Sequence, residues 1–161
     1  MTIEISGVSV NRRKFMLLVG AASVFAAAPL GHKAEAAGED PTALFNAIRK
    51  QHGLPAVETD PTLEKAALYQ AKRMASYDKM GHSIGWGNDF VSRLRQAGIH
   101  GPAAENVAAG QRNTAAVFEA WMNSPGHRKN MLDPTFHHYG LAWATPEKKP
   151  RYIYWALDLG L

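Results

Sequence analysis

HHYGLAWATPEKKPRYIYWALDLGL, residues 137–161, decides the fold. Two runs dense in aromatic, branched and small residues, 137–145 and 151–161, flank Pro-Glu-Lys-Lys-Pro, a turn-type loop. That pattern predicts two strands joined as a hairpin. Upstream of Pro134 the texture is helical, so the order is helices first and strands last. The fold class that follows is α+β or a three-layer sandwich, with helices covering a mostly antiparallel central sheet.

The helices announce themselves by their starts. Asp40-Pro41-Thr42 and Asp60-Pro61-Thr62 each pair an acidic cap with proline at the first helical position. From the first, an apolar stripe of Leu44, Phe45 and Ile48 runs past Arg49 and Lys50 to a stop at Gly53. Leu54 to Val57 reads as an extended connector, because proline holds its predecessor extended. The second helix presents an alanine-rich face suited to close packing on a sheet and is expected to end at Gly81. A Gly-rich loop, GHSIGWGND, leads to a third helix over 89–97, stopped by Gly98. GIHGPAAENVAAG reads as turns around a short apolar piece, and Asn113-Thr114 caps a fourth helix through Val117, Phe118, Trp121 and Met122.

The chain has 161 residues and no internal repeat, which sets one folded domain as the default. The net charge is +4, and half of it lies in residues 1–36, where Arg12, Arg13, Lys14 and Lys33 stand against Glu4 and Glu35. The remaining balance is too weak to argue for nucleic acid. HRK at 127–129 and KKPR at 148–151 read as solvated surface. With no cysteine, disulfides, thiolate metal sites, a cysteine nucleophile and a lipoprotein anchor are all excluded.

Residues 1–36 read as an export signal. Asn-Arg-Arg-Lys-Phe-Met at 11–16 has the paired arginines of a twin-arginine signal. An uncharged run over 17–30 follows, and Ala34-Glu35-Ala36 offers small residues for cleavage. That run is shorter than the roughly 18–20 apolar residues of a spanning helix, which weighs against the alternative of an uncleaved anchor. The expected mature chain, residues 37–161, has no membrane span and is expected in the periplasm or outside the cell.

Three polar residues stand beside chain breaks, where a scaffold can present side chains to a cleft: His82, Glu105 and His127. His127 falls in the first turn of a short helix that opens at Ser124-Pro125. The positive end of that helix disfavours an imidazolium, and a neutral imidazole is the form that binds metal or takes a proton. Two histidines and a carboxylate are also a familiar set for zinc with an open position, though no HExxH pair is present. Each residue has a plainer reading beside this one. Either histidine can be a hydrogen-bonded structural group, and Glu105 can cap the amides that follow it. Ser124, outside any GxSxG context, reads as a helix cap rather than a nucleophile. His137 and His138, neighbours on a predicted strand, face opposite ways and make a poor chelate. Trp86, Trp121, Trp143 and Trp155 read as core or cleft walls.

Taken in order, GLP, ETDPTLEKAALYQAKRMA, GHS, AENVAAG, FEAWMNSPGHRKNML, FHHYGLAWA and YIYWALDLG resemble a bacterial member of the CAP superfamily. This is the SCP-like domain shared by cysteine-rich secretory proteins, antigen 5 and plant pathogenesis-related proteins of group 1. The resemblance covers about residues 40–160, and AENVAAG followed by WMNSPGHRKNML is its most specific part. It implies the CAP fold, an α-β-α sandwich, with a central cleft of two histidines and two glutamates that binds divalent cations such as zinc in some members. The motif residues fall on His82, Glu105 and His127. The second glutamate of eukaryotic relatives falls on Ser124 here, which leaves Glu119, on the same helix as Trp121, as the candidate substitute. The metal ligands implied are His82 and His127, with Glu105 a third ligand or a base. Asn130 and Leu132 are expected to anchor the short helix, and Arg128 to act as a structural clamp.

No single chemistry is common to the family, which is linked to sterol or lipid binding, proteolysis and protein–protein interaction. Three functions follow as expectations. The first is an exported binding protein whose cleft holds a divalent metal, a small molecule, a lipid or a glycan. The second is a zinc-dependent hydrolase of peptides or cell wall, with Glu105 as candidate base. The third is an envelope interaction protein with a vestigial cleft.

Overall fold

The computed structural model describes residues 39–161. The export signal read over 1–36 lies outside them.

Helix α1 (Pro41–Gln51) begins where Asp40 accepts a hydrogen bond from Thr42 N, with proline at its first position. Helix α2 (Pro61–Tyr77) begins the same way, Asp60 accepting from Thr62 N and Leu63 N. Between them β1 (Glu58–Thr59) is a two-residue strand at the end of the connector. Then come α3 (Phe90–Gln96), β2 (Ala103–Ala109), α4 (Thr114–Met122), α5 (Pro125–Met131), β3 (His138–Ala144) and β4 (Tyr154–Gly160).

The sheet runs β1-β3-β4-β2, with β1 parallel to β3 and the other pairs antiparallel. The expected hairpin is its centre: β3 pairs β4 from His138↔Gly160 to Ala144↔Tyr154. Strand β2 pairs with β4 from Ala103↔Gly160 to Ala109↔Tyr154, which leaves its other side as the edge of the sheet. AAENVAA is therefore a strand, where the sequence reading has only turns around an apolar piece. Its alanines, glutamate and asparagine are poor strand formers in isolation, and β4, the strand it completes, lies about 50 residues downstream.

Two apolar layers hold the sandwich. On one face, Phe45, Val117, Phe118, Trp121 and Met131 from α1, α4 and α5 pack with Ala108, Trp155, Leu157 and Leu159. On the other, Ala67, Ala71, Met74 and Ala75 of α2 meet Val107, Ala142, Tyr154 and Ala156. The alanines let α2 lie close, and Gly140 on β3 lets it lie closer still. A β-carbon there would stand 2.6 Å from Glu64 Cα and nearer yet to Glu64 N.

Helix α2 stops at Tyr77, four residues short of Gly81. Asp78 takes the left-handed conformation instead (φ 47°), which aspartate tolerates better than most residues. Its carboxylate is fixed there by Tyr154 Oη at 3.0 Å and by Lys149. The clamp expected of Arg128 belongs to Arg49. Its fully buried guanidinium donates to the carbonyls of Pro55, Met131, Asp133 and Phe136, tying α1 to the chain around α5. Arg128 is exposed, 3.2 Å from His52 Nε2. Of the tryptophans, Trp121 and Trp155 are core and Trp143 packs against them, whereas Trp86 is fully exposed on the Gly-rich loop.

Candidate functional site

The site is built on two consecutive residues of β2. Successive strand residues face opposite ways, so Glu105 and Asn106 serve opposite faces of the edge strand. Glu105 accepts a hydrogen bond from His82 Nδ1 at 2.8 Å through Oε1 and pairs with Arg93 through Oε2. Asn106 donates to the backbone carbonyl of His127 at 3.0 Å, and its own carbonyl accepts from Asn130 Nδ2 at 2.9 Å. One residue thus holds the GHS loop and the next holds α5. The expected anchoring by Asn130 is this bond; Leu132 is the C-terminal cap residue of the helix.

A carboxylate can only accept, so Nδ1 of His82 carries the proton in this pair and Nε2 is left for a ligand or a metal. The His82 side chain is 52% exposed, so that nitrogen is reachable. His127 is half-buried, and its pKa is lowered, first by burial and then by the positive charge His82 can carry. A neutral His127 is what the helix-start argument expected, but the causes are different.

Behind the histidines lies a buried ionic cluster that the sequence reading does not assemble. Arg93, on α3, donates through Nη1 to the carbonyls of His82 and Asn88 and through Nη2 to Glu105. It thereby fixes both the carboxylate and the loop that bears His82. Asp158, the register partner of Glu105 on β4, is buried and no donor reaches its oxygens. Burial, then the neighbouring charge of Glu105, pushes its pKa well up. A protonated Asp158 resolves both facts by donating its O–H to Glu105. One signal in the sequence marks it: a lone acid in the otherwise apolar strand YWALDLG. Arg93 has no such mark, because FVSRLRQ shows two arginines and only the fold distinguishes the buried one from Arg95.

The remaining candidates stand apart. Glu119 is exposed on α4, and among the described residues no ion pair joins it to either histidine. Ser124 occupies the cap position of α5, but its side chain makes no capping bond. His137 is exposed just ahead of β3 and His138 is half-buried on it.

As a metal site, this donor set is open. Both oxygens of Glu105 are engaged, one by His82 and the other by Arg93, so the carboxylate orients the His82 ring. Among the described residues no three His, Cys, Asp or Glu side chains converge as a ligand set. Catalytic zinc takes three protein ligands, and that fit is not met. Two imidazoles suit a cation whose other positions go to water or to a bound molecule.

These features define an α-β-α domain whose edge strand holds the loop of His82 through Glu105 and the helix of His127 through Asn106. The chain belongs to the cysteine-rich secretory protein family, CAP, whose model matches residues 42–159, although this member has no cysteine. The YkwD protein of Bacillus subtilis (strain 168) is 39% identical over 102 residues, covering 62% of this chain and 39% of that protein. Among solved structures, an extracellular SCP-domain protein from Bacillus anthracis is 27% identical with a TM-score of 0.64, over 74% of this chain and 38% of that one. An outer surface protein from Borrelia burgdorferi shares the fold at 21% identity and a TM-score of 0.65, over 74% and 87% of the two chains. This chain thus spans about two fifths of the YkwD protein's length. No helix among the described residues is long and apolar enough to cross a membrane.

Proposed function

We propose that this is an exported CAP-domain binding protein of the cell envelope. Its cleft takes a small ligand together with a divalent cation held by His82 and His127. The observation that carries this reading is the engagement of Glu105: with one oxygen on His82 and the other on Arg93, it presents His82 Nε2 outward and is not itself free for chemistry. Export is supported by the signal-like residues 1–36 and by similarity to proteins described as extracellular or outer-surface. Periplasmic and extracellular destinations both fit.

Calorimetric titration of zinc into the chain, beside a His82→Ala/His127→Ala variant, tests the reading. Saturable binding is expected in the parent and not in the variant; identical isotherms would sink the cation part of the proposal.

A hydrolase acting on peptides or cell wall is the second reading, favoured by the lowered pKa of His127, which keeps that ring available as a base. It requires turnover of casein or peptidoglycan that disappears in His127→Ala.

A further inference from the structure

The sheet has a second open edge, on the side away from β2. Strand β1 pairs with β3 only at His138 and Tyr139, because the chain turns into α2 after Thr59. The Tyr139 carbonyl still accepts from Asp60 N at 2.9 Å. Alternate residues of a strand direct their backbone groups the same way, so Leu141 and Trp143 also direct theirs outward, away from β4. Among the described residues no strand lies there to pair with them. Gly140–Ala144, GLAWA, carries none of the charges or prolines that keep a sheet edge from accepting another strand. Leu141 and Trp143 are half-buried rather than covered.

The helix above this edge is patterned. Helix α2 runs in the direction of β3: the Glu64 backbone rests over Gly140, and Lys72 and Ala75 border Ala144 and Thr145. Its opposite flank is marked by Arg73, which donates to the Ile84 carbonyl of the His82 loop. Glu64, Leu68 and Lys72, spaced four apart, therefore share the flank over the open edge. All three are exposed, Leu68 at 37%, and no ion pair engages Glu64 or Lys72 among the described residues. An acid, an apolar residue and a base in that order are complementary to the same row turned end for end.

We propose that this edge pairs antiparallel with the same edge of a second copy of the chain, about a two-fold axis at Ala142. The N–H and C=O of Leu141 then meet the C=O and N–H of the partner's Trp143, and the reverse, so that two four-stranded sheets become one. Helix α2 packs on residues of both β3 and β4. It therefore stands two strand spacings from its copy, roughly 9–10 Å, which is the distance at which helices pack. Leu68 meets the partner's Leu68, and Glu64 meets the partner's Lys72. A foreign peptide strand could use the same backbone groups, but it would not account for the charge order on α2. The inference goes beyond the cleft reading and shares no residue with it.

Sedimentation equilibrium of the full chain tests it. A mass of twice 17.6 kDa is expected at chain concentrations on the order of 100 μM. Glu64→Lys and Lys72→Glu each set like charges together on both sides of the axis, and each should weaken the dimer about tenfold. The double variant exchanges the two charges and should recover the parent's affinity. All of these changes fall on exposed side chains, so the core is untouched. Amide exchange at Leu141 and Trp143 should slow as the parent is concentrated. A chain that stays monomeric overturns the proposal. So does a dimer that neither single reversal weakens, which would place the contact on another surface, or a double variant as weak as the singles. Protection of those two amides in a monomer by a peptide copying residues 139–145 would also overturn it, in favour of a site for foreign strands. Zinc binding at the histidines is expected to be the same in every variant, so the two readings fail separately.

Discussion

Glu105 and Asp158 face each other across β2 and β4, and only one of them has a cation. Arg93 neutralises Glu105, while burial and the charge of Glu105 push the pKa of Asp158 well up. Removing one partner of a buried ion pair leaves the other charge stranded. Arg93→Ala is therefore expected to cost about 3–5 kcal/mol of stability, read by urea denaturation. Arg93→Lys should recover only part of that, since one ammonium cannot reach the carbonyls of His82 and Asn88 and the carboxylate in the same fork. His82 and Glu105 are visible in the sequence because each stands beside a chain break or a motif. Arg93 and Asp158 are not, because their meaning comes from the strand register and from burial, which only the folded chain supplies.

At the scale of elements, α2 and β3 meet where Gly140 replaces a side chain by contact with the backbone at Glu64. The neighbour is main chain and cannot swing aside. Gly140→Ala should cost about 3 kcal/mol, the upper range for overpacking, with Tm falling in proportion. The helix starts are legible because Asp-Pro-Thr is a local signal, and the hairpin because its strands are dense in β-formers. Strand β2 and the end of α2 are not, since both are decided by partners distant in sequence: β4 for the first, Lys149 and Tyr154 for the second. The same long-range logic applies to α5. Asn106 ties the His127 carbonyl to the sheet and also receives Asn130. Asn106→Ala should loosen that helix, cost about 1–3 kcal/mol through the acceptor left unpaired, and raise the pKa of His127 toward its ordinary value as the ring gains water.

For the whole molecule, the half-buried His127 and the buried Asp158 give stability opposite dependences on pH. His127 has a pKa below its usual 6.5 in the fold. The unfolded chain therefore takes up its proton first, and the contribution of His127 is present above pH 6.5 and lost as pH falls through the depressed value. Asp158 has a pKa well above its usual 3.8. Its contribution is complete below pH 3.8 and is lost as pH rises through the folded value. Asp78, Asp89 and Asp133, whose carboxylates are lowered by hydrogen bonds, act only below 3.8, as they protonate. Above that range the profile is a rising component from His127 set against a falling one from Asp158, and substitution can separate them. Asp158→Asn keeps a donor for Glu105 but cannot ionise. It should remove the falling component and leave stability that rises with pH to a plateau near 6.5. His127→Gln should remove the rising component and leave the decline. Urea midpoints measured at intervals from about pH 4 to 8 distinguish these shapes. If Asp158→Asn reproduced the parent profile, Asp158 would be ionised in the fold, and the proton shared between β4 and β2 would have to be abandoned as the reason two buried acids can sit side by side across these strands.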